Sequence, residues 1–255
     1  MVQSLDRALD VLEALAEAEA GISLSQLTAQ LDLPLGTVHR LLSSLAARGY
    51  AAQEPDTRLY GPGPRLLAVA TRAARNRRFQ INRIAQQELQ QLTAITGETS
   101  NLLVLQGDEG VYSEQVTSPR LVRMFTEVGQ RVPLYCTGGG KAILSGMLAE
   151  QLQAYLRSTA LYAFTPKTLT DPEALQSEIA KARALGFARD DEERELGVYC
   201  VAAPIFDRHG RCVAALSISG PISRFTPERA ADLGPHVRAA ADRCSAELGY
   251  QAPVG

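Results

Sequence analysis

Apolar residues recur at spacings of three and four through the first fifty positions of the chain. Leu5, Ala8, Val11, Leu12 and Leu15 share one helical face, as do Leu24, Leu27 and Leu31, and then Val38, Leu41, Leu42 and Leu45. The spacing predicts helices over 5–18, 25–31 and 35–48. Ser4 and Ser23 are placed to cap the first two, Pro34 suits the first turn of the third, and Gly49 ends it. Residues 50–53 and 58–60 then read as two strands around a turn at 54–57. Three short helices and a hairpin make a winged helix-turn-helix, with the helix-turn-helix itself at about 22–41. The third helix of such a unit enters the major groove, roughly 12 Å wide, and the hairpin touches flanking phosphates. Thr37, His39, Arg40 and Ser44 are therefore candidates for the groove, with His39 on the side of its helix. Ser23, Ser25, Gln26, Arg48 and Arg58 are candidates for placing the protein on phosphates.

Gly61-Pro62-Gly63-Pro64 punctuates the chain. The pattern beyond it predicts a connecting helix over 65–78, apolar through Leu66, Leu67, Val69 and Ala70 and crowded with Arg72, Arg75, Arg77 and Arg78 toward its end. After a helix at 81–95 come strand-like runs at 100–106, 110–115 and 120–127, then helices at 137–147, about 150–156 and 170–184. Two longer strands, 198–207 and 211–219, turn at Arg208-His209-Gly210, and a helix capped by Thr226 runs to 248. Strands joined by short turns, with helices grouped outside the sheet, predict an α+β sensor-like domain rather than a βαβ array. The expected organisation is a DNA-binding domain over 1–62, a linker helix over 63–78, an effector-binding domain over 79–250 and a tail at 251–255.

A composition of 45% hydrophobic and 21% charged residues is that of an ordinary folded protein. No apolar run approaches the ~20 residues needed to span a bilayer, and acidic residues interrupt the N-terminus where a signal peptide would be apolar, so a cytoplasmic location and no membrane partner are expected. The net charge of −2 hides an asymmetry: between residues 20 and 78, eight arginines stand against Asp32, Glu54 and Asp56. That excess suits a module facing double-stranded DNA. Four scattered cysteines (136, 200, 212, 244) and three scattered histidines (39, 209, 236) predict no metal site, disulfide or cofactor. Gly138-Gly139-Gly140-Lys141 is not a phosphate-binding P-loop, which requires Gly at Tyr135 and Ser or Thr at Ala142.

Four stretches, SLDRALDVLEAL at 4–15, LPLGTVHRLLSSLAARGY at 33–50, VGQRVPLYCTGGGKAIL at 128–144 and DDEERELGVYCVAAPIFDRHGRCVAALSISGP at 190–221, give the sequence its resemblance to the IclR family of bacterial transcriptional regulators. The resemblance implies a winged-helix domain, a linker helix and a GAF-like α/β effector-binding domain assembled as homodimers or dimers of dimers. It implies a small-molecule pocket at Met124, Val132, Gly138, Gly139, Asp190, Val198, Cys200, Ser217 and Ser219, with neighbouring Asp191 close enough to confuse the assignment. Independently, Gly138 to Gly140 open a helix whose unpaired N–H groups make a seat for an anion. Ser217 and Ser219 face one side of a strand, as do Val198 and Cys200. A small organic or aromatic acid fits such a site. The chain departs from the family at Leu35-Gly36, where Lys-Ser or Asn-Ser is common, and at Tyr135, where His is common; neither operator sequence nor ligand identity carries over. The competing reading is a small metabolite-processing enzyme whose helical N-terminus only dimerises, with Cys136 or Cys200 as a candidate nucleophile.

Overall fold

The computed structural model describes residues 3–18, 20–74 and 77–251, and no side chains over 73–79. The chain divides into two compact units, Met1–Phe79 and Gln80–Gly255.

In the first unit, α1 (Gln3–Glu17), α2 (Leu24–Leu31) and α3 (Leu35–Ala47) bury Val11, Ala14, Leu15, Leu27, Val38 and Leu42 against one another. Because α1 already runs from Gln3, Ser4 lies inside the helix rather than at its cap. Strands β1 (Ala51–Gln53) and β2 (Tyr60–Pro62) form the wing, pairing Ala51 with Pro62 and Gln53 with Tyr60. Of the 58–60 expected for the second strand only Tyr60 belongs to it, and the strand continues instead through Gly61 and Pro62. Tyr60 also exchanges two main-chain hydrogen bonds with Ile22, at 2.8 and 2.9 Å, which ties the wing to the segment before α2. Helix α4 (Pro64–Ala74) follows. The expected linker continues across Arg75 and Asn76, which lie outside the described residues, as do 252–255 of the expected tail.

The second unit is a six-stranded antiparallel sheet in the order β5-β4-β3-β8-β7-β6, covered by helices on both faces. Its strands are β3 (Thr99–Gln106), β4 (Glu109–Val116), β5 (Arg131–Pro133), β6 (Ala188–Asp191), β7 (Val198–Phe206) and β8 (Cys212–Pro221). Alternation along them splits the side chains between two cores. Leu102, Tyr199, Val201, Ala203, Leu216 and Ile218 pack on α5 (Arg77–Thr96) and α9 (Pro227–Glu247). Leu103, Ala188, Ala202 and Ala215 face α6 (Gly138–Gly146), α7 (Ala149–Ser158) and α8 (Pro172–Leu185).

Residues 120–127, expected to be a strand, form none. Their carbonyls are taken by side chains instead of a ladder: Arg224 Nη2 donates to Val122 O at 2.7 Å, Thr99 Oγ1 to Met124 O at 3.0 Å and Gln115 Nε2 to Thr126 O at 3.0 Å. Two short strands go beyond what the hydrophobic pattern predicts. One is β5 on β4; the other is β6 on β7, which places the Asp190-Asp191 pair inside the sheet rather than in a solvated turn.

Candidate functional site

The apolar face of α3 is fixed by buried Val38 and Leu42, so its opposite face is presented outward. Gly36, His39, Arg40, Ser43 and Ser44 are exposed there and Thr37 is half-buried. Ser43 and Ser44 hydroxyls donate back to the carbonyls of His39 and Arg40, at 2.8 and 2.9 Å, which leaves their oxygens to accept but not donate. Ser23 and Gln26 form a reciprocal cap on α2: Gln26 N donates to Ser23 Oγ at 3.3 Å and Ser23 N to Gln26 Oε1 at 2.9 Å. Ser25 beside them is exposed. Arg48 ends α3 in solvent, and Arg58 sits in the wing turn with φ +60°, its carbonyl held by Gln53 Nε2 at 3.0 Å. All nine residues lie in one unit, those of α2, α3 and the wing turn on separate elements.

In the second unit, Asp190, Cys200 and Ser219 are successive cross-strand neighbours on β6, β7 and β8, and Ser217 stands across from Asn101 of β3. By alternation all of them face α6. Gly138 opens α6 directly over Cys200: a Cβ there would lie 2.6 Å from the Cys200 sulfur, so only glycine allows this approach. Gly140 likewise admits no side chain, because the main chain of Leu134 fills its place. Thr137 caps the helix by accepting from Gly140 N at 3.1 Å. The Gly140 N–H is thus taken, and Gly138 and Gly139 are left with N–H groups that no helical carbonyl precedes. Met124 is half-buried and tied to the same face through the Thr99 bond. Val198 is half-buried at the start of β7, whereas Val132 is buried on the far edge strand, three strands from the serines.

Burial dominates the electrostatics. It pushes the Asp190 carboxyl up to about 7, against the pull of Lys141, while Asp190 Oδ1 accepts from Glu193 N at 2.8 Å. Asp191 points the other way, its carboxylate paired with Lys167 at 2.9 Å and half exposed. Lys141 and Glu193 form an ion pair whose side chains are only 1% and 8% exposed. Arg194 stacks 3.9 Å over the Phe164 ring, and Tyr135 hydrogen-bonds both main-chain groups of Tyr162 through its hydroxyl. Burial also pushes the Cys136 and Cys200 thiols up to about 12, and Asp190 adds to it at Cys200. A thiol held protonated there is no nucleophile.

A model of the IclR helix-turn-helix domain matches residues 4–55, and a model of the C-terminal domain of bacterial IclR transcriptional regulators matches residues 74–246. The chain belongs to the IclR family. Among its relatives, the HTH-type transcriptional regulator BhcR of Paracoccus denitrificans is 40% identical over 228 residues, 89% of this chain and 81% of that protein. The acetate operon repressor of Salmonella typhimurium is 37% identical over 250 residues, 97% of this chain and 90% of that protein. The crystal structure of Thermotoga maritima IclR superposes with a TM-score of 0.83 at 32% identity, covering 98% of this chain and all of that one. An IclR homologue from Microbacterium hydrocarbonoxydans, crystallised with 4-hydroxybenzoate, has the same fold, with a TM-score of 0.74 at 24% identity over 96% of this chain and 98% of that one. The chain is a DNA-binding transcriptional regulator of the IclR type with an effector-binding C-terminal domain, a reading favoured over the enzyme alternative.

Several residues of the site carry little sign of their place in the sequence. Asn101 has one, a polar residue inside the apolar run of β3. Lys141 stands out only as the lysine of an incomplete P-loop pattern, and Glu193 only as part of an acidic run; their pairing across 52 positions has no local signature.

Proposed function

We propose that this IclR-type regulator binds its operator as a homodimer or dimer of dimers in the cytoplasm, and that a small organic or aromatic acid seated at the start of α6 changes that binding. Thr37, His39, Arg40 and Ser44 address the major groove. Ser25, the Gln26 amide, Arg48 and Arg58 address phosphates, with Ser23 acting chiefly as the cap that fixes Gln26. Residues 63–78 connect the two domains. The ligand's carboxylate takes the N–H groups of Gly138 and Gly139, and its body meets Ser217, Ser219, Cys200, Asp190, Met124 and Val198. Val132 shapes the apolar wall beyond Leu103.

The observation that carries this reading is the polar cluster itself. Two serines, a thiol and a carboxyl whose pKa burial raises to about 7 converge under a helix start, beside the buried Lys141–Glu193 pair. No turnover is assigned, because the four thiols are all buried and each is pushed up to about 12.

The test uses genomic DNA fragments that the full chain selects from a library, followed by fluorescence anisotropy with acetate, pyruvate, benzoate and 4-hydroxybenzoate. One of these acids should change operator affinity by about 5- to 150-fold. Gly139→Asp, whose Cβ meets Leu103 at 3.0 Å and whose charge opposes an anion, should bind the operator as wild type does and lose the response. A Gly139→Asp chain that responds like wild type sinks the anion seat.

A further inference from the structure

Asn101 is 0% exposed, in the middle of β3 on the side facing α6. Its neighbours fix which way the amide is turned. Gln115 Nε2 donates at 3.0 Å to the main-chain carbonyl of Thr126, an oxygen that only accepts, so that end of Gln115 is the NH2 group. The atom of Asn101 that Nε2 meets at 3.1 Å must then be the carbonyl Oδ1, which also accepts from the Thr126 hydroxyl at 2.7 Å. With Oδ1 held by Gln115 and Thr126, Nδ2 is the end of the amide turned away from them. It is buried there with no partner among the described residues. An unmade bond from a buried amide is unfavourable, and a site that binds a ligand recovers it.

We propose that Asn101 is a ligand-recognition residue of this pocket, donating from Nδ2 to an acceptor oxygen that the ligand carries beside its carboxylate. The assignment rests on reading the cluster as the effector pocket. Ser217 and Ser219 hydroxyls either donate or accept and so discriminate little, whereas an amide NH2 only donates. It therefore favours a carbonyl or ether-like oxygen, gains nothing from a methylene, and opposes an ammonium group. Gln115 and Thr126 are positioning residues, since they hold Oδ1 and thereby aim Nδ2.

Calorimetry on the full chain tests this with two pairs of acids that differ by a carbonyl against a methylene: pyruvate with propionate, and phenylpyruvate with 3-phenylpropionate. L-Alanine supplies the ammonium case. In the pair that binds, the oxo acid should bind about tenfold tighter than its methylene partner, with L-alanine weaker than either, and Asn101→Ala should bring the ratio close to one. Thr126→Val, which removes one of the two bonds to Oδ1 without touching ligand, should lose part of the preference; it also serves if circular dichroism shows Asn101→Ala unfolded. An oxo-acid preference that survives in the folded variants overturns the role of Asn101 and leaves the pocket standing. If no acid of either pair binds the wild-type chain, the role of Asn101 falls; if acetate, benzoate and 4-hydroxybenzoate also leave operator binding unchanged, the carboxylate pocket falls with it.

Discussion

At the scale of single residues, the site turns on which carboxyl is buried. Asp190 and Asp191 are adjacent, but β6 alternates, so the first is enclosed beside Cys200 and the second meets Lys167 at the surface. Burial raises Asp190 from 3.8 to about 7, with Lys141 and the main-chain donors from Glu193 and Arg194 opposing, and Glu193 and the Cys200 and Tyr112 side chains standing close by. Between those two values the folded chain holds a proton that the unfolded chain has released. The contribution of this group to stability is thus full below about pH 4, is lost as pH rises toward 7, and changes little above it. Asn in its place keeps the acceptor for Glu193 N and cannot ionise. Denaturation midpoints of wild type and Asp190→Asn, compared from pH 5 to pH 8, should therefore show the wild type losing ground up to pH 7 by at most about 1.4 kcal/mol per pH unit, then running parallel. A difference independent of pH would show that Asp190 is ionised throughout. The sequence carried Asp190, Cys200 and both serines into the candidate site by family motif and strand alternation. It did not single out Asn101, whose function depends on which neighbours hold its oxygen.

At the scale of elements, most helices were legible because they bury a stripe with period 3.6, as α1, α2 and α3 do, and α2 and α9 also begin at the expected caps Ser23 and Thr226. The sheet edges were not. Strand β6 reads Ala-Arg-Asp-Asp and hides a buried carboxyl where the pattern signals solvent, while residues 120–127 look like a strand because Leu121, Val122 and Phe125 are apolar, yet all three are exposed. Helix α6 shows why local reading fails here. Every residue from Gly138 to Ser145 is buried, so Lys141 has no route to water and is neutralised by Glu193, far away in sequence. A buried pair is held together by the cost of separating it. Lys141→Met leaves Glu193 charged or forced to protonate, with its Oε2 already lacking a partner, and should destabilise the chain by about 3–5 kcal/mol in urea unfolding. The double variant Lys141→Met with Glu193→Leu should recover most of that loss. Equal instability of single and double variants would mean that the pair is held by its packing rather than by its charges.

At the scale of the whole molecule, the proposed homodimer or dimer of dimers requires a surface that joins two copies of the chain. Dimeric helix-turn-helix proteins place recognition helices on half-sites about 34 Å apart, or multiples of that, so affinity depends on what joins two copies. Helix α4 offers a surface that could join them, since Leu67 is 73% exposed and Val69 is exposed on the same short helix. A leucine left this exposed on a monomer is a liability that a second copy packed on it removes. Leu67→Glu would set two carboxylates against each other across such an interface while leaving the buried residues of the helix-turn-helix untouched. Native mass spectrometry of this variant should show fewer subunits than wild type. Affinity for a full operator should then fall toward that for a single half-site, while far-UV circular dichroism stays the same. Wild-type subunit number with wild-type operator affinity would place the joining surface elsewhere, because an exposed leucine outside an interface tolerates a charge with little effect.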